Sequence, residues 1–326
     1  MKISRRRFLF DVGIGACAAT AASLLPIGRT SAAAPISTTN SLPDAGGFLR
    51  PYYWSACLPP QEWAAAGDWV MQKTLELLQP ARWHSWGNWP QHGYPGRIPA
   101  IFSTQYFDHD SVLRRMQANS GEFWMTVNEP EMPDQCNESE SAIADLVGDL
   151  IDIGRSADTE WQWGAPSVTL TANGGSGLRW LTEWNKIMRR RCGIAKPFAW
   201  MIHPYNSGSV SLFHASMDAW WEWYYRDNQG QGAPVVISEV CAEGSLPDVQ
   251  ADVMLECWKL LQNEEKVKGI FWFATYRSGV EEQRRSSRNP WQHYHLTTLD
   301  HGTQTVAFTE LGQYWKELQN GLRTAQ

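Results

Sequence analysis

Cysteine is scarce in this chain of 326 residues: there are six, and no Cys-x-x-Cys pair. A disulfide framework or a thiolate zinc site has no pattern to stand on. Phosphate-cradling loops are missing too. The chain has no Gly-x-Gly-x-x-Gly and no Walker-type lysine loop, so the usual dinucleotide and nucleoside-triphosphate sites are excluded. No cofactor and no metal are expected. Positive charge is short as well: 28 Lys and Arg stand against 34 Asp and Glu, a net of −6. Such a surface suits neither nucleic acid nor an anionic membrane. Beyond the N-terminal segment, no run is long and apolar enough to span a bilayer. No segment repeats.

The first 33 residues stand apart. "SRRRFLF" carries Arg5 and Arg6, then Phe8 and Leu9. A weakly apolar stretch from Val12 to Leu25 and the small-residue sequence "TSAAAP" follow. The segment resembles the twin-arginine export signal of bacteria, with cleavage after Ala33 or Ala34. A basic, Ala-rich tail and a membrane anchor are the alternatives; the run is short and Gly/Ala-rich for an anchor. Cys17 in "IGAC" loosely resembles a lipoprotein site, against which Asp11 argues. Residues 34–46 then read as a linker and 47–326 as one domain. The leader carries a net +4, so its removal takes the chain from −6 to −10. Five cysteines stay behind: Cys57, Cys136, Cys192, Cys241 and Cys257, of which one pair could oxidise. These features imply export to the periplasm or beyond. The twin-arginine machinery is then the partner of the signal, and the mature protein acts as a monomer off the membrane.

What the chain has in excess is tryptophan, with 19 residues. Many sit beside polar groups, as in "RWHSWGNWP", "EWQWG" and "AWWEWYY". More than half are expected to fill the core, where Trp buries a large area. The remainder have flat faces suited to stacking on sugar rings. Eight apolar runs, 47–54, 81–86, 97–103, 122–129, 161–167, 198–205, 234–239 and 269–276, alternate with helical patterns. Near-continuous runs such as "PVVIS" fit strands buried on both faces. The alternation and the length predict an α/β fold, a single-domain (β/α)8 TIM barrel, which takes roughly 250 residues. A doubly wound sheet is the alternative, but its Gly-rich first loop is missing. "TANGGSG" reads as a flexible loop, and "AFTELGQYWKELQNGL" as a closing helix.

In such barrels the active site lies where the strands end. Run four ends in Asn128-Glu129 and run seven in Ser238-Glu239. Run six ends in His203-Pro204-Tyr205, run two near His84 and Trp86, and run eight near Trp272 and Tyr276. Two carboxylates at strand ends are what glycosidic cleavage needs: one protonates the leaving oxygen, the other attacks or activates water. Glu129 and Glu239 lie 110 residues apart, which fits three βα units of about 30 residues each with modest insertions. The pair therefore falls on strands four and seven.

Asn-Glu-Pro closing strand four, with a glutamate closing strand seven, resembles the clan A glycoside hydrolases. "HPY" and "FWF" extend the match. The compact layout is most similar to the glycosyl hydrolase catalytic core group, which includes endo-β-1,3-glucanases; families 5 and 39 share that core. The resemblance implies a retaining β-glycosidase, endo-acting on a polysaccharide or oligosaccharide of β-glucan type. It implies Glu129 as acid/base, with a raised pKa, and Glu239 as nucleophile. It also implies Asn128 on the sugar 2-hydroxyl, Tyr205 keeping Glu239 ionised and aimed, His203 in the polar network and Trp272 as a stacking floor beside a cis peptide. The clan usually has an arginine late on strand two. Here Arg82 is early and His84 nearer the end.

Further subsite candidates are His84, Trp86 and Trp54. Glu131 and Glu243 read as loop charges or subsite contacts. Arg284, Arg285 and Arg288 lie in a loop that could wall the cleft. A binding-only barrel, a transglycosylase and an exo-acting enzyme are the rival functions. Pro130 disfavours helical dihedrals at the residue before it, so Glu129 is expected to stay extended. Asn128 would then point to the other face, and using both residues in one site demands a twist or bulge there.

Overall fold

The computed structural model describes residues 53–57, 68–85, 96–119, 121–157, 162–171, 175–193, 197–205, 209–226, 229–242, 246–275, 294–300 and 302–325. The expected leader, the linker, Trp86, Glu243, Tyr276 and the three loop arginines lie outside them. Of Trp54 only the backbone is described.

In chain order the elements are β1 (Tyr53–Cys57), α1 (Asp68–Leu78), β2 (Trp83–His84), β3 (Arg97–Ile98), α2 (His109–Ala118), β4 (Phe123–Trp124), α3 (Glu140–Ser156), β5 (Gln162–Trp163), β6 (Val168–Thr169), α4 (Gly175–Cys192), β7 (Trp200–His203), α5 (Val210–Tyr225), β8 (Val235–Val240), α6 (Pro247–Asn263), β9 (Val267–Trp272), β10 (Thr297–Asp300), β11 (Thr305–Phe308) and α7 (Glu310–Ala325). The fold is α/β. Parallel pairing runs in the order β3-β2-β1-β9-β8-β7-β6, and β4 pairs with β5 in a sheet of two. These ladders do not close into the eight-stranded barrel expected from the sequence. Single parallel bridges join Ala100 to Met125, Asn128 to Ser167 and Gly164 to Ala199. Among the described residues no helix is long and apolar enough to cross a membrane.

Local signals explain the helix starts. Ser139 caps α3 by accepting the Ala142 N–H, and Ser209 caps α5 by accepting that of Leu212. Both satisfy a first-turn donor that has no partner within the helix. Pro247 opens α6, where its missing N–H costs nothing. α4 starts at Gly175, inside the stretch read as a loop.

Strand alternation sorts the core into two faces. In β7, β8 and β9, Trp200, Ile202, Val235, Ile237, Ile270 and Trp272 belong to the large cluster shared with the helices. The residues between them, Met201, Val236 and Phe271, join Ile98, Ala100, Phe123, Met125 and Ala199 in a second cluster. A period of two sends neighbours to opposite faces. The second cluster gathers residues from β3 at one edge of the sheet to β7 near the other, so the sheet curls around it.

Three further elements depart from the sequence reading. β10 and β11 form an antiparallel hairpin, and Ala307 and Phe308, read as helix, belong to it. Asp300 nucleates the turn: its Oδ1 accepts the N–H groups of Gly302 and Thr303, an Asx turn. β1 is centred later than the run read for it, at 53–57.

Much of the tryptophan is core. Trp184 is buried and meets Trp163, Trp180 and Trp200 with ring centroids 6.2, 6.4 and 6.4 Å away. Trp184→Ala is expected to cost about 3–5 kcal/mol, read as a lower urea midpoint. A shift well under 1 kcal/mol would contradict this cluster's role in the core.

Candidate active site

β4, β7 and β8 bring four sequence-predicted residues together. Glu129 and His203 are fully buried, and Glu239 and Tyr205 nearly so. His203 Nδ1 and Glu129 Oε1 share a hydrogen bond of 2.8 Å, and the same nitrogen lies 3.9 Å from Glu239 Oε2. The Tyr205 hydroxyl donates to Glu239 Oε2. One ligating atom each from Glu129, His203 and Glu239 falls within a mutual 4.8 Å. Such a trio could converge on a cation, but the His203–Glu129 hydrogen bond already occupies the contact a metal would need.

Backbone irregularity aims both carboxylates. Glu129 has φ 44°, left-handed and not the extended geometry expected before Pro130. Its N–H still donates to Ser167 O at 2.7 Å, so the chain leaves the strand path at this residue. A non-glycine residue held there costs on the order of 1–3 kcal/mol, a strain typical of functional sites. It supplies the break in alternation that placing Glu129 at the strand mouth requires.

β8 carries a register shift between Ile237 and Val240, so Glu239 too sits at an irregularity.

The remaining predicted residues fall differently. Asn128 is buried, and its Nδ2 donates to Gln135 Oε1 at 3.0 Å, not to the carboxylate cluster. Its Oδ1 is buried with no partner among the described residues, an arrangement that calls for a donor. Trp272 is fully buried in the core, and its indole N–H donates to Tyr294 O at 2.8 Å. That is a core placement, not the open stacking floor expected of it. The cis peptide lies one residue further on, between Phe273 and Ala274. His84 is also fully buried and donates from Nε2 to Ser238 O at 2.8 Å. Burial depresses its pKa to about 3. Of the cysteines, Cys136 and Cys257 are buried free thiols, and Cys241 is buried too.

Sequence reading undervalued Glu131. Its Oε1 accepts from the Thr169 N–H at 2.7 Å and the Thr169 hydroxyl at 2.6 Å, while Oε2 is buried without a partner among the described residues. Burial pushes its carboxyl up to about 7, and the charge of Glu129 pushes the same way. Two residues beyond Glu129 in a polar loop, Glu131 gave no periodic signal of this burial. Ser167, which holds the Glu129 N–H, was equally silent.

The folded pKa of Glu131 lies above its ordinary value. Its stabilising contribution is therefore full below about pH 4 and is lost as pH rises through about 7. Glu131→Gln removes that loss. Relative to the unsubstituted protein the variant should gain up to about 3 kcal/mol between pH 4 and pH 8, measured by urea denaturation at both. Parallel pH dependences would contradict the raised pKa.

The family model described as glycosyl hydrolase catalytic core matches residues 73–298. No curated protein matches the chain in sequence. Among solved structures, a GH128 (subgroup I) endo-β-1,3-glucanase from Amycolatopsis mediterranei, in complex with laminaritriose and laminaribiose, is similar at TM-score 0.58 and 17% identity. That match covers 81% of this chain and 98% of the other. A GH128 (subgroup II) endo-β-1,3-glucanase from Sorangium cellulosum matches at TM-score 0.57 and 17% identity, over 76% and 94%. A GH128 (subgroup VII) oligosaccharide-binding protein from Trichoderma gamsii matches at TM-score 0.54 and 12% identity, over 82% and 95%. At these identities the likeness is one of fold.

Proposed function

The chain belongs to the glycosyl hydrolase catalytic core family, and from that premise we propose that it is an exported, retaining endo-β-1,3-glucanase. The observation that carries the reading is the buried Glu129/Glu239 pair, with carboxylate oxygens within 4.8 Å. Retaining glycosidases place their carboxyls about 5–5.5 Å apart, whereas inverting ones leave about 6.5–9.5 Å for a water. The β-1,3-glucan assignment leans on the laminari-oligosaccharide bound by a fold neighbour. Export leans on Arg5 and Arg6 in the leader.

In this reading Glu129 gives its proton to the leaving glycosidic oxygen as the Glu239 carboxylate attacks the anomeric carbon. The old C–O bond breaks and a glycosyl ester forms. Glu129, now ionised, takes a proton from water, which attacks the same carbon and releases Glu239. The Tyr205 hydroxyl aims Glu239, and His203 orients Glu129. The unpartnered Oδ1 of Asn128 is placed to accept a sugar hydroxyl. The scaffold proposed is the eight-stranded (β/α)8 barrel. The three single bridges and the cluster inside the curled sheet support its closure.

The oligosaccharide-binding fold neighbour is the model for the rival, non-catalytic reading, against which both carboxylates being present counts. On a panel of β-1,3-glucan, β-1,4-glucan, mannan, xylan and galactan, the protein should release oligosaccharides from β-1,3-glucan, and Glu129→Gln should be strongly impaired. NMR should find the β-anomer formed first, and Glu239→Ala should lose turnover by at least about 10⁴-fold. An inverted first product, or substantial activity in Glu239→Ala, would refute the roles given.

A further inference from the structure

The residue before Glu239 is tied from two sides. Along β8 and β9, Ile237 faces Ile270 and Val240 faces Trp272. Ser238 and Glu239 together therefore face Phe271 alone. Two residues opposite one is a β-bulge, which bends the strand, re-aims a side chain and disrupts the ladder locally. A buried carbonyl at such a place needs a donor.

For Ser238 that donor comes from β2, 154 residues away in the chain: His84 Nε2, at 2.8 Å. The ring packs edge-on against Phe271, the residue opposite the bulge, with centroids 4.8 Å apart. Because a carbonyl only accepts, the proton sits on Nε2. Burial keeps the ring in its neutral form, with a pKa of about 3. The Ser238 hydroxyl lies 3.2 Å from that of Ser167. The Ser167 carbonyl in turn accepts the Glu129 N–H at 2.7 Å. A buried path thus joins His84, Ser238 and Ser167, with Glu239 bonded to its middle and Glu129 held at its end.

We propose that His84 is a positioning residue: through the Ser238 carbonyl it fixes the bulge that aims the Glu239 carboxylate. This replaces the sugar contact expected of His84, since its Nε2 is taken by the Ser238 carbonyl and its ring packs edge-on against Phe271. The inference rests on Glu239 being the nucleophile.

Substitutions at position 84 separate the donor from the bulk. His84→Gln carries an amide N–H to the place of Nε2. His84→Asn stops short, near Nδ1, and His84→Leu supplies no donor. With laminarin as substrate, the Gln variant should keep kcat within about threefold, while Asn and Leu lower it roughly 100-fold, the cost of a misplacement of about 1 Å. KM should stay within about threefold throughout, which a contact to the sugar would not allow. Equal kcat in Gln and Leu, or a change confined to KM, would overturn the proposal. Crystal structures supply the second readout: the Glu239 carboxylate should move by about 1 Å in His84→Leu and stay in place in His84→Gln. If the unsubstituted protein leaves laminarin intact, the proposed substrate falls and the crystallographic comparison still decides the role of His84. If the Leu variant does not fold, the Gln and Asn pair decides it. An unmoved carboxylate in the variant without a donor at Nε2 overturns it.

Discussion

Two carboxylates, on Glu129 and Glu239, are buried with oxygens within 4.8 Å. Like charges this close and this buried repel strongly. A chain that keeps them there needs surrounding groups that satisfy and separate the pair. His203 takes one oxygen of Glu129, and the Tyr205 hydroxyl takes one of Glu239. In the proposed double displacement the same repulsion favours one protonated and one ionised carboxyl, which exchange their states midway.

Regular secondary structure alone does not aim two such groups at one point. β4 and β8 are buried strands, and a strict period of two would fix every side chain by its neighbours. The chain breaks that period at both carboxylate residues, by a left-handed φ at Glu129, beyond the end of β4, and by the bulge at Ser238–Glu239 within β8. The stiff part of the molecule supports these breaks. β7 and β8 are buried along their whole length, and the tryptophans of α4, α5 and β7 pack behind them. The strain at Glu129 is tolerable because the Ser167 carbonyl and the buried strand path hold it.

The sequence made the scaffold legible where periodicity and length were strong: the long apolar run of β8 and the strand–helix alternation. It made the carboxylate pair legible because strand ends in an α/β fold are where chemistry collects. What it hid depends on contacts between distant segments. Trp272 and a sugar-facing tryptophan look alike until Tyr294 takes the indole N–H. His84 looks like a site residue until its partner proves to be the Ser238 backbone. Glu131 looks like a loop charge until Thr169 binds it. The left-handed turn at Glu129 ran against the local rule for residues before proline, as happens when tertiary contacts outweigh a local preference.

Trapping the glycosyl ester tests the central claim most directly. A 2-deoxy-2-fluoro laminari-oligosaccharyl fluoride reacts with a nucleophilic carboxylate and slows its release. Incubated with the protein and followed by peptide mass spectrometry, it should add one fluoroglycosyl unit to the peptide that contains Glu239, with the label on that side chain. A label on another residue, or hydrolysis of the fluoride with no covalent adduct at Glu239, would contradict the account.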